Sequence, residues 1–210
     1  MMRVLIADDH PVVRWGLRQI LAGEKDIEVA GEAENYGAIM KALRESACDV
    51  LVLDITLPGK DGIEVLKIVR AEMPRVKVLM LSNHPEEHFG VRALKAGAAG
   101  YLTKDSAPER LVEALRDVVR GRKYVTPALA QALAERVGDS AETPALELLS
   151  DREFQILRLI VSGRKPAEIA SQLSLSPKTV SVYRGRILAK LRLRTNAELA
   201  GYALKHGLLD

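Results

Sequence analysis

The chain has 210 residues, 48% of them hydrophobic and 28% charged, with a formal net charge of +3 and one cysteine. That length favours one or two domains with ordinary cores, and a single cysteine excludes an internal disulfide framework. No apolar run approaches the roughly 20 residues that a membrane helix needs, so we expect a soluble, unprocessed, cytoplasmic protein without membrane partners.

The charge is unevenly spread. Residues 1–121 hold 17 Lys and Arg against 19 Asp and Glu, a net of −2, and residues 122–150 carry −1. Residues 151–210 hold 11 against 5, a net of +6. A basic terminal region beside an acidic one points to nucleic acid as the partner of the former.

Up to about Arg120 short apolar strands alternate with amphipathic helices, the pattern of a parallel sheet covered on both faces. The predicted strands are Val4 to Ala7, Ile27 to Gly31, Val50 to Leu53, Val76 to Leu81 and Gly100 to Leu102. Helices fill the gaps at Pro11 to Leu21, Tyr36 to Ser46, Gly62 to Met73, Glu86 to Ala96 and Pro108 to Arg120. Leu57-Pro58-Gly59-Lys60-Asp61-Gly62 supplies turn chemistry after the third strand, and Ser106-Ala107-Pro108-Glu109 reads as the capped opening of the last helix. The fold class is α/β, a flavodoxin-like, doubly wound, five-stranded parallel sheet in the order 2-1-3-4-5. Cys48, between a helix and the third strand, reads as a small buried hydrophobe. His10, His84, His88 and His206 lack metal-ligand spacing and read as surface or loop-edge residues.

Four of these strands end on polar residues: Asp8 and Asp9, Asp54, Ser82, and Lys104. In an open parallel sheet the carboxyl ends of the strands face one crevice, so residues distant in sequence converge there. Three carboxylates repel one another unless something positive sits among them. Mg2+ fits, because it takes a few carboxylates and keeps its remaining positions for water and phosphate oxygens. Lys104 adds a fixed positive charge and Ser82 a hydroxyl. This set suits phosphoryl transfer, in which charge builds on equatorial oxygens, with Asp54 as nucleophile.

Residues 122–148 form a linker with a short helix over Pro127 to Val137 and linker composition over residues 138–144. Residues 149–210 show four helical patterns and form an all-α domain. Ser150-Asp151-Arg152-Glu153 is a capping box for the first helix, which Gly163 ends. Pro166 to Leu173 is the second, and Ser174-Leu175-Ser176-Pro177 makes the turn, with Ser176 as N-cap and Pro177 at the first helical position. The third runs from Pro177 to about Leu191. Thr195 caps a fourth that reaches Lys205 before Gly207 stops it. Two short helices joined by a tight turn, the second of them basic, form a helix-turn-helix.

On the third helix Val180, Ile187 and Leu191 share the inner face, with Tyr183 and Leu188 flanking them. Lys178, Ser181, Val182, Gly185, Arg186 and Ala189 lie opposite, a small and weakly basic surface able to approach a major-groove wall. Lys178, Arg184, Arg186 and Lys190 are candidates for phosphate contacts, with Thr179 beside them at the helix start. Ser181, Val182 and Arg186 are candidates for base readout.

Taken in order, Val4-Leu5-Ile6-Ala7-Asp8-Asp9-His10-Pro11, Asp54 with Leu57-Pro58 and Asp61-Gly62, Gly97-Ala98 through Lys104, and Leu149-Ser150-Asp151-Arg152-Glu153 through Lys178-Thr179-Val180 resemble a full-length response regulator of the NarL/FixJ family. The resemblance covers nearly all of the chain. It implies a receiver domain over 1–121, a linker over 122–148 and a LuxR-type helix-turn-helix domain over 149–210. It implies that Asp54 accepts a phosphoryl group from a sensor histidine kinase, and that Asp9, Asp54 and the carbonyl of Thr56 bind Mg2+ while Asp8 acts through water. It further implies that Ser82 swings toward the phosphate, Tyr101 follows as an aromatic switch, and Lys104 pairs with the acyl phosphate. The implied output is relief of receiver contact with the recognition helix and homodimerisation on double-stranded promoter DNA. The only catalysis expected is the receiver's own phosphoryl transfer and dephosphorylation.

The chain departs from the family pattern at Asp105, where many receivers carry proline, at Tyr183, where histidine is common, and at Gly185, where relatives often place a basic residue. Trp15, nearly opposite the inward stripe of the first helix, reads first as an ordinary exposed apolar residue, with a contact face for the kinase or a second receiver as the alternative. Two alternatives remain at this level: a Mg2+-dependent aspartyl-phosphate phosphohydrolase, and a DNA-binding regulator with a vestigial receiver.

Overall fold

Runs of aliphatic residues build five strands: β1 (Met2–Ala7), β2 (Ile27–Ala33), β3 (Val50–Asp54), β4 (Lys77–Ser82) and β5 (Gly100–Thr103). All neighbours pair in parallel in the order β2-β1-β3-β4-β5, as expected from the strict alternation. The helices between them are α1 (Pro11–Ala22), α2 (Tyr36–Glu45), α3 (Gly62–Glu72), α4 (Val91–Ala96) and α5 (Ala107–Val119). This computed structural model describes residues 1–138, 145–173, 175–206 and 208. Residues 139–144 of the expected linker, Ser174 of the expected turn and Gly207, expected to stop the last helix, lie outside them.

Side chains alternate across each strand. Val4, Ile6, Val50, Val52, Leu79, Leu81 and Leu102 join Leu17 and Leu21 of α1 and Leu111, Leu115 and Val118 of α5 in one buried cluster. Each such aliphatic side chain contributes about 1.5–3 kcal/mol on burial. Strand β3 is buried on both faces, which is why Val50 to Leu53 reads as an unbroken apolar run.

Local differences from the sequence expectations have physical causes. The helix expected over Glu86 to Ala96 begins as a π-helical turn, Glu86–Gly90, and becomes α4 only at Val91. Ser106 does not cap α5: its backbone is already helical, and its hydroxyl turns back to the carbonyl of Thr103 at 3.0 Å and to Thr103 Oγ1 at 2.9 Å. The peptide after Lys104 is trans.

The chain divides into two compact units, Met1–Arg136 and Val137–Asp210. Residues 122–136, expected as linker, therefore pack with the first. Tyr124 extends the sheet edge through a bond from its amide to the carbonyl of Ala99 at 3.0 Å, and α6 (Pro127–Gly138) follows.

The second unit holds a short 3-10 turn, Ala145–Leu148, then α7 (Asp151–Val161), α8 (Pro166–Gln172), α9 (Pro177–Lys190) and α10 (Asn196–Lys205). The caps are those expected. Ser150 and Glu153 exchange hydrogen bonds, Ser176 Oγ accepts from the amide of Thr179 at 3.0 Å, and Thr195 Oγ1 accepts from the amide of Glu198 at 3.1 Å. Phe154, Ile156, Leu157, Ile169, Val180, Ile187 and Leu199 are buried between these helices. Among the described residues no helix is long and apolar enough to cross a membrane.

Candidate functional site

The carboxyl edge of the sheet collects the polar strand ends. Asp8 follows β1 and its amide is tied to the carbonyl of Ala33 at 3.0 Å. Asp54 is the last residue of β3. The amide of Lys104 bonds to the carbonyl of Ser82 at 2.8 Å, carrying the β4–β5 ladder one step further and fixing the lysine against the site. Asp8 and Asp54 are 1% and 2% exposed, so their charges act in a poorly screened setting.

The Lys104 ammonium bridges both carboxylates, at 2.7 Å from Asp8 Oδ2 and 2.9 Å from Asp54 Oδ2. Asp54 Oδ1 accepts from the amide of Thr56 at 3.2 Å. Burial pushes the Asp54 carboxyl up to about 6; Lys104 opposes that shift and Asp8 adds to it. Burial alone would weaken the Lys104 ammonium, but Asp54 and Asp8 outweigh it and hold its pKa above the ordinary lysine value. The carboxylates here outnumber the ammonium, and one ligand atom from each of Asp8, Asp9, His10 and Asp54 lies within 4.8 Å of the others. Such a set, rich in hard oxygen donors and carrying surplus negative charge, fits a divalent cation.

The loop after β3 is shaped by a close approach. Asp61 Oδ1 caps α3 by accepting from Ile63 at 2.9 Å, and Gly62 lies so near the strand that a Cβ there would fall 2.2 Å from the carbonyl oxygen of Asp54. Ser82 is fully buried, and its Oγ accepts from the amide of His84 at 3.2 Å. Tyr101, also fully buried, donates to the carbonyl of His84 at 2.8 Å.

Of the histidines, His10 lies at the surface as expected but beside the acidic cluster, whereas His84 departs from the surface reading. His10 is exposed, yet its amide donates to Asp8 Oδ1 at 2.8 Å and its Nδ1 lies 2.7 Å from Asp9 Oδ1. His84 is 3% exposed and stacks on Phe89 at 4.3 Å between centroids. The position of His10 after the aspartate pair was a usable signal for the first; His84 acts through its main chain, which residue type does not encode. Burial raises the Cys48 thiol to about 11, leaving it a poor nucleophile.

In the second unit Lys178, Ser181, Val182, Gly185, Arg186 and Ala189 are all exposed on α9, as the helical period predicts. Thr179 is half-buried and bonded to Ser176, and the Ser181 hydroxyl donates to the carbonyl of Pro177 at 3.1 Å. The Arg186 guanidinium lies over the Tyr183 ring at 5.8 Å. Arg184 is turned to Asn196 Oδ1 at 2.6 Å. Lys190 points away from the expected phosphate surface: it donates to Glu153 Oε2 at 2.6 Å and to the carbonyl of Leu148 at 2.9 Å. Arg164 and Lys165, which the periodicity of α9 could not single out, line a cleft with Ser181 and Arg184.

Family models match both units: "Response regulator receiver domain" over residues 4–116 and "Bacterial regulatory proteins, luxR family" over residues 147–203. The chain is a response regulator of the NarL/FixJ family. It is 41% identical over 212 residues to the response regulator UvrY of Escherichia coli, covering 100% of this chain and 97% of that one. Among solved structures, RcsB of Salmonella typhimurium is similar with a TM-score of 0.77 and 28% identity, over 96% of each chain. RcsB of Salmonella enterica serovar Typhimurium bound to promoter rprA with the phosphomimetic BeF3− is similar at 0.72 and 29%, over 96% of this chain and 98% of that one. As a member of this family the response regulator is a phosphorylation-dependent DNA-binding transcription regulator. The similarity spans both units, which disfavours the stand-alone phosphohydrolase and the vestigial receiver.

Proposed function

We propose that Asp54 is the phosphoacceptor and that residues of the carboxyl edge serve its phosphorylation by a sensor histidine kinase. The observation that carries this reading is the pairing of a buried Asp54 with the Lys104 ammonium at 2.9 Å, beside Asp8 and Asp9. In the transfer an Asp54 carboxylate oxygen forms the new P–O bond while the bond from phosphorus to the donor breaks and its electron pair leaves with the donor. Lys104 is placed to pair with the added phosphoryl oxygens, and Ser82 to turn its hydroxyl toward them. Asp9, Asp54 and the Thr56 carbonyl would hold Mg2+, with Asp8 acting through water. Bound there, Mg2+ would offset carboxylate charge and supply Lewis acidity toward phosphoryl oxygens. The same groups serve the receiver's own dephosphorylation.

The DNA surface in this reading is the exposed face of α9. Lys178, Arg186 and, beside α8, Arg164 and Lys165 contact phosphates; Ser181, Val182 and Arg186 face base edges. Thr179 supports the helix start, Arg184 positions α10 through Asn196, and Lys190 holds the domain together instead of touching DNA. Tyr101 acts as the aromatic switch, the active form is a homodimer on promoter DNA, and the site of action is the cytoplasm.

The test is intact-mass analysis after incubation with Mg2+ and acetyl phosphate. The wild type gains one phosphoryl group, and the gain disappears with Asp54→Asn or with chelator. A phosphoryl group retained by Asp54→Asn refutes the assignment.

A further inference from the structure

The amino edge of the sheet, at the opposite end of the strands from Asp8, Asp54 and Lys104, carries the reverse charge. A cavity of about 170 Å3 opens there beside the first residues of β4 and β5, and Arg70, Lys77, Arg122 and Lys123 stand around it. Among the described residues no carboxylate lines it. Met1–Arg136 as a whole has as many acidic as basic residues, so composition alone does not bring these cations to one hollow.

Main-chain geometry holds them there. Gly97, at φ +103°, ends α4 in the left-handed conformation, and the Arg70 side chain occupies the space of its missing Cβ, which would lie 2.7 Å from Arg70 Cδ and 2.9 Å from Cζ. The Arg70 guanidinium donates to the Gly97 carbonyl at 2.7 Å, which fixes its planar fork on the α4–β5 turn. After α5 the chain reverses at Gly121, φ +82°, and the bond from the Tyr124 amide to the Ala99 carbonyl pins the returning segment. The Lys123 ammonium thereby reaches the carbonyl of Ala98. Lys77 opens β4, tied by its amide to the carbonyl of Asp49 at 2.9 Å. Arg122 is paired with Asp117, whereas Arg70, Lys77 and Lys123 have no carboxylate partner among the described residues.

Three uncompensated cations around one hollow repel one another. Desolvation, with the charges of Arg70 and Lys77, lowers the Lys123 ammonium below the ordinary lysine value. An anion seated among them removes that cost. A guanidinium fork pairs with two oxygens of a phosphate or carboxylate at once, and a phosphate monoester, with a charge of about −1.5 to −2, answers three cations better than a single carboxylate does. Pro74, Val76 and Val78 supply apolar walls, which suit the carbon body of an ester and offer nothing to inorganic phosphate. The cations converge on a concavity and do not run as a stripe, the arrangement for a small ligand and not for a polymer. We infer that this hollow is a binding site for a small phosphate monoester, gripped by Arg70 and Lys123 with Lys77 completing the charge. The site is separate from Asp54 and does not depend on its phosphorylation.

The test titrates the full chain, without Mg2+, with phenyl phosphate, inorganic phosphate and an octaglutamate peptide, following main-chain amide shifts by NMR. Phenyl phosphate is expected to saturate one site with a Kd of about 1 mM or below, moving the amides of residues 97–100 and 121–124 together. It binds at least about threefold tighter than inorganic phosphate, through the apolar walls. Arg70→Gln and Lys123→Gln each weaken it about tenfold, with an unchanged amide spectrum away from the hollow showing that the fold is kept. Arg75→Gln, which removes a neighbouring exposed charge outside the hollow, changes the affinity by less than about twofold. Shifts confined to other residues such as those of α9, equal losses from Arg75→Gln and Arg70→Gln, or inorganic phosphate bound as tightly as phenyl phosphate overturns the assignment. Octaglutamate bound at 97–100 and 121–124 where phenyl phosphate is not makes the surface one for an acidic protein segment and overturns it equally.

Discussion

The Lys104 ammonium lies 2.7 Å from Asp8 and 2.9 Å from Asp54 and balances part of the charge of two nearly inaccessible carboxylates. The remaining negative charge opposes folding when no cation is bound. Asp54→Asn therefore stabilises the metal-free first unit, by roughly 1–3 kcal/mol at pH 7. Urea melts with and without Mg2+ check this. Mg2+ raises wild-type stability, and the variant gains little from it.

Gly62 presses against the strand end at Asp54, where a Cβ would meet main-chain atoms at 2.2 Å and 2.7 Å. Backbone cannot give way as a flexible side chain can. Gly62→Ala is expected to cost about 2 kcal/mol or more and to slow phosphorylation by acetyl phosphate. Thermal unfolding and the phosphorylation rate, measured on one preparation, check both effects.

Glu153 is the anchor of the second unit. Burial would raise its pKa, but the hydrogen bonds from Lys190 and Ser150 outweigh that and leave it below the usual 4.5. Because the folded value is the lower one, the stabilisation is fully present above pH 4.5 and is lost as pH falls through the depressed value. Glu153→Gln is expected to cost about 1–2 kcal/mol at neutral pH, and the difference from wild type shrinks in acid. The same pair predicts that Lys190→Gln lowers stability and leaves the salt dependence of DNA binding alone. Lys178→Ala or Arg186→Ala reduces that salt slope by about one.

Trp15 is 58% exposed on α1, and Val12 beside it is 79% exposed. Trp15→Ala should change stability by less than about 0.5 kcal/mol. If this face meets the kinase or a second receiver, the substitution slows phosphoryl transfer or weakens dimerisation. Unchanged phosphotransfer kinetics from the kinase and unchanged sedimentation velocity of the phosphorylated protein would together remove the assignment.

The strand ends were legible because topology alone brings the carboxyl ends of parallel strands together, so Asp8, Asp54, Ser82 and Lys104 needed no contact information. The caps Ser150, Ser176 and Thr195 were equally local. The exposed face of α9 followed from its period. What escaped depends on partners remote in sequence. Lys190 looked like a surface cation because nothing nearby names Glu153 as its partner, 37 residues away. Ser106 had the right type for a cap but a nearer acceptor at Thr103. Leu129 of α6 packs where Gly90 has no side chain, and a missing group leaves no pattern. His84 contributes its amide and carbonyl, which every residue but proline has.

With Asp54 as the proposed phosphoacceptor, its modification controls DNA binding, and retention of promoter DNA reads this out. Wild type and Asp54→Asn are compared with Mg2+, with and without beryllofluoride, on fragments selected from genomic DNA. Beryllofluoride is expected to strengthen retention by the wild type and to leave Asp54→Asn unaffected. Equal retention in all four samples, with beryllofluoride shown to be bound to the wild type, would contradict it.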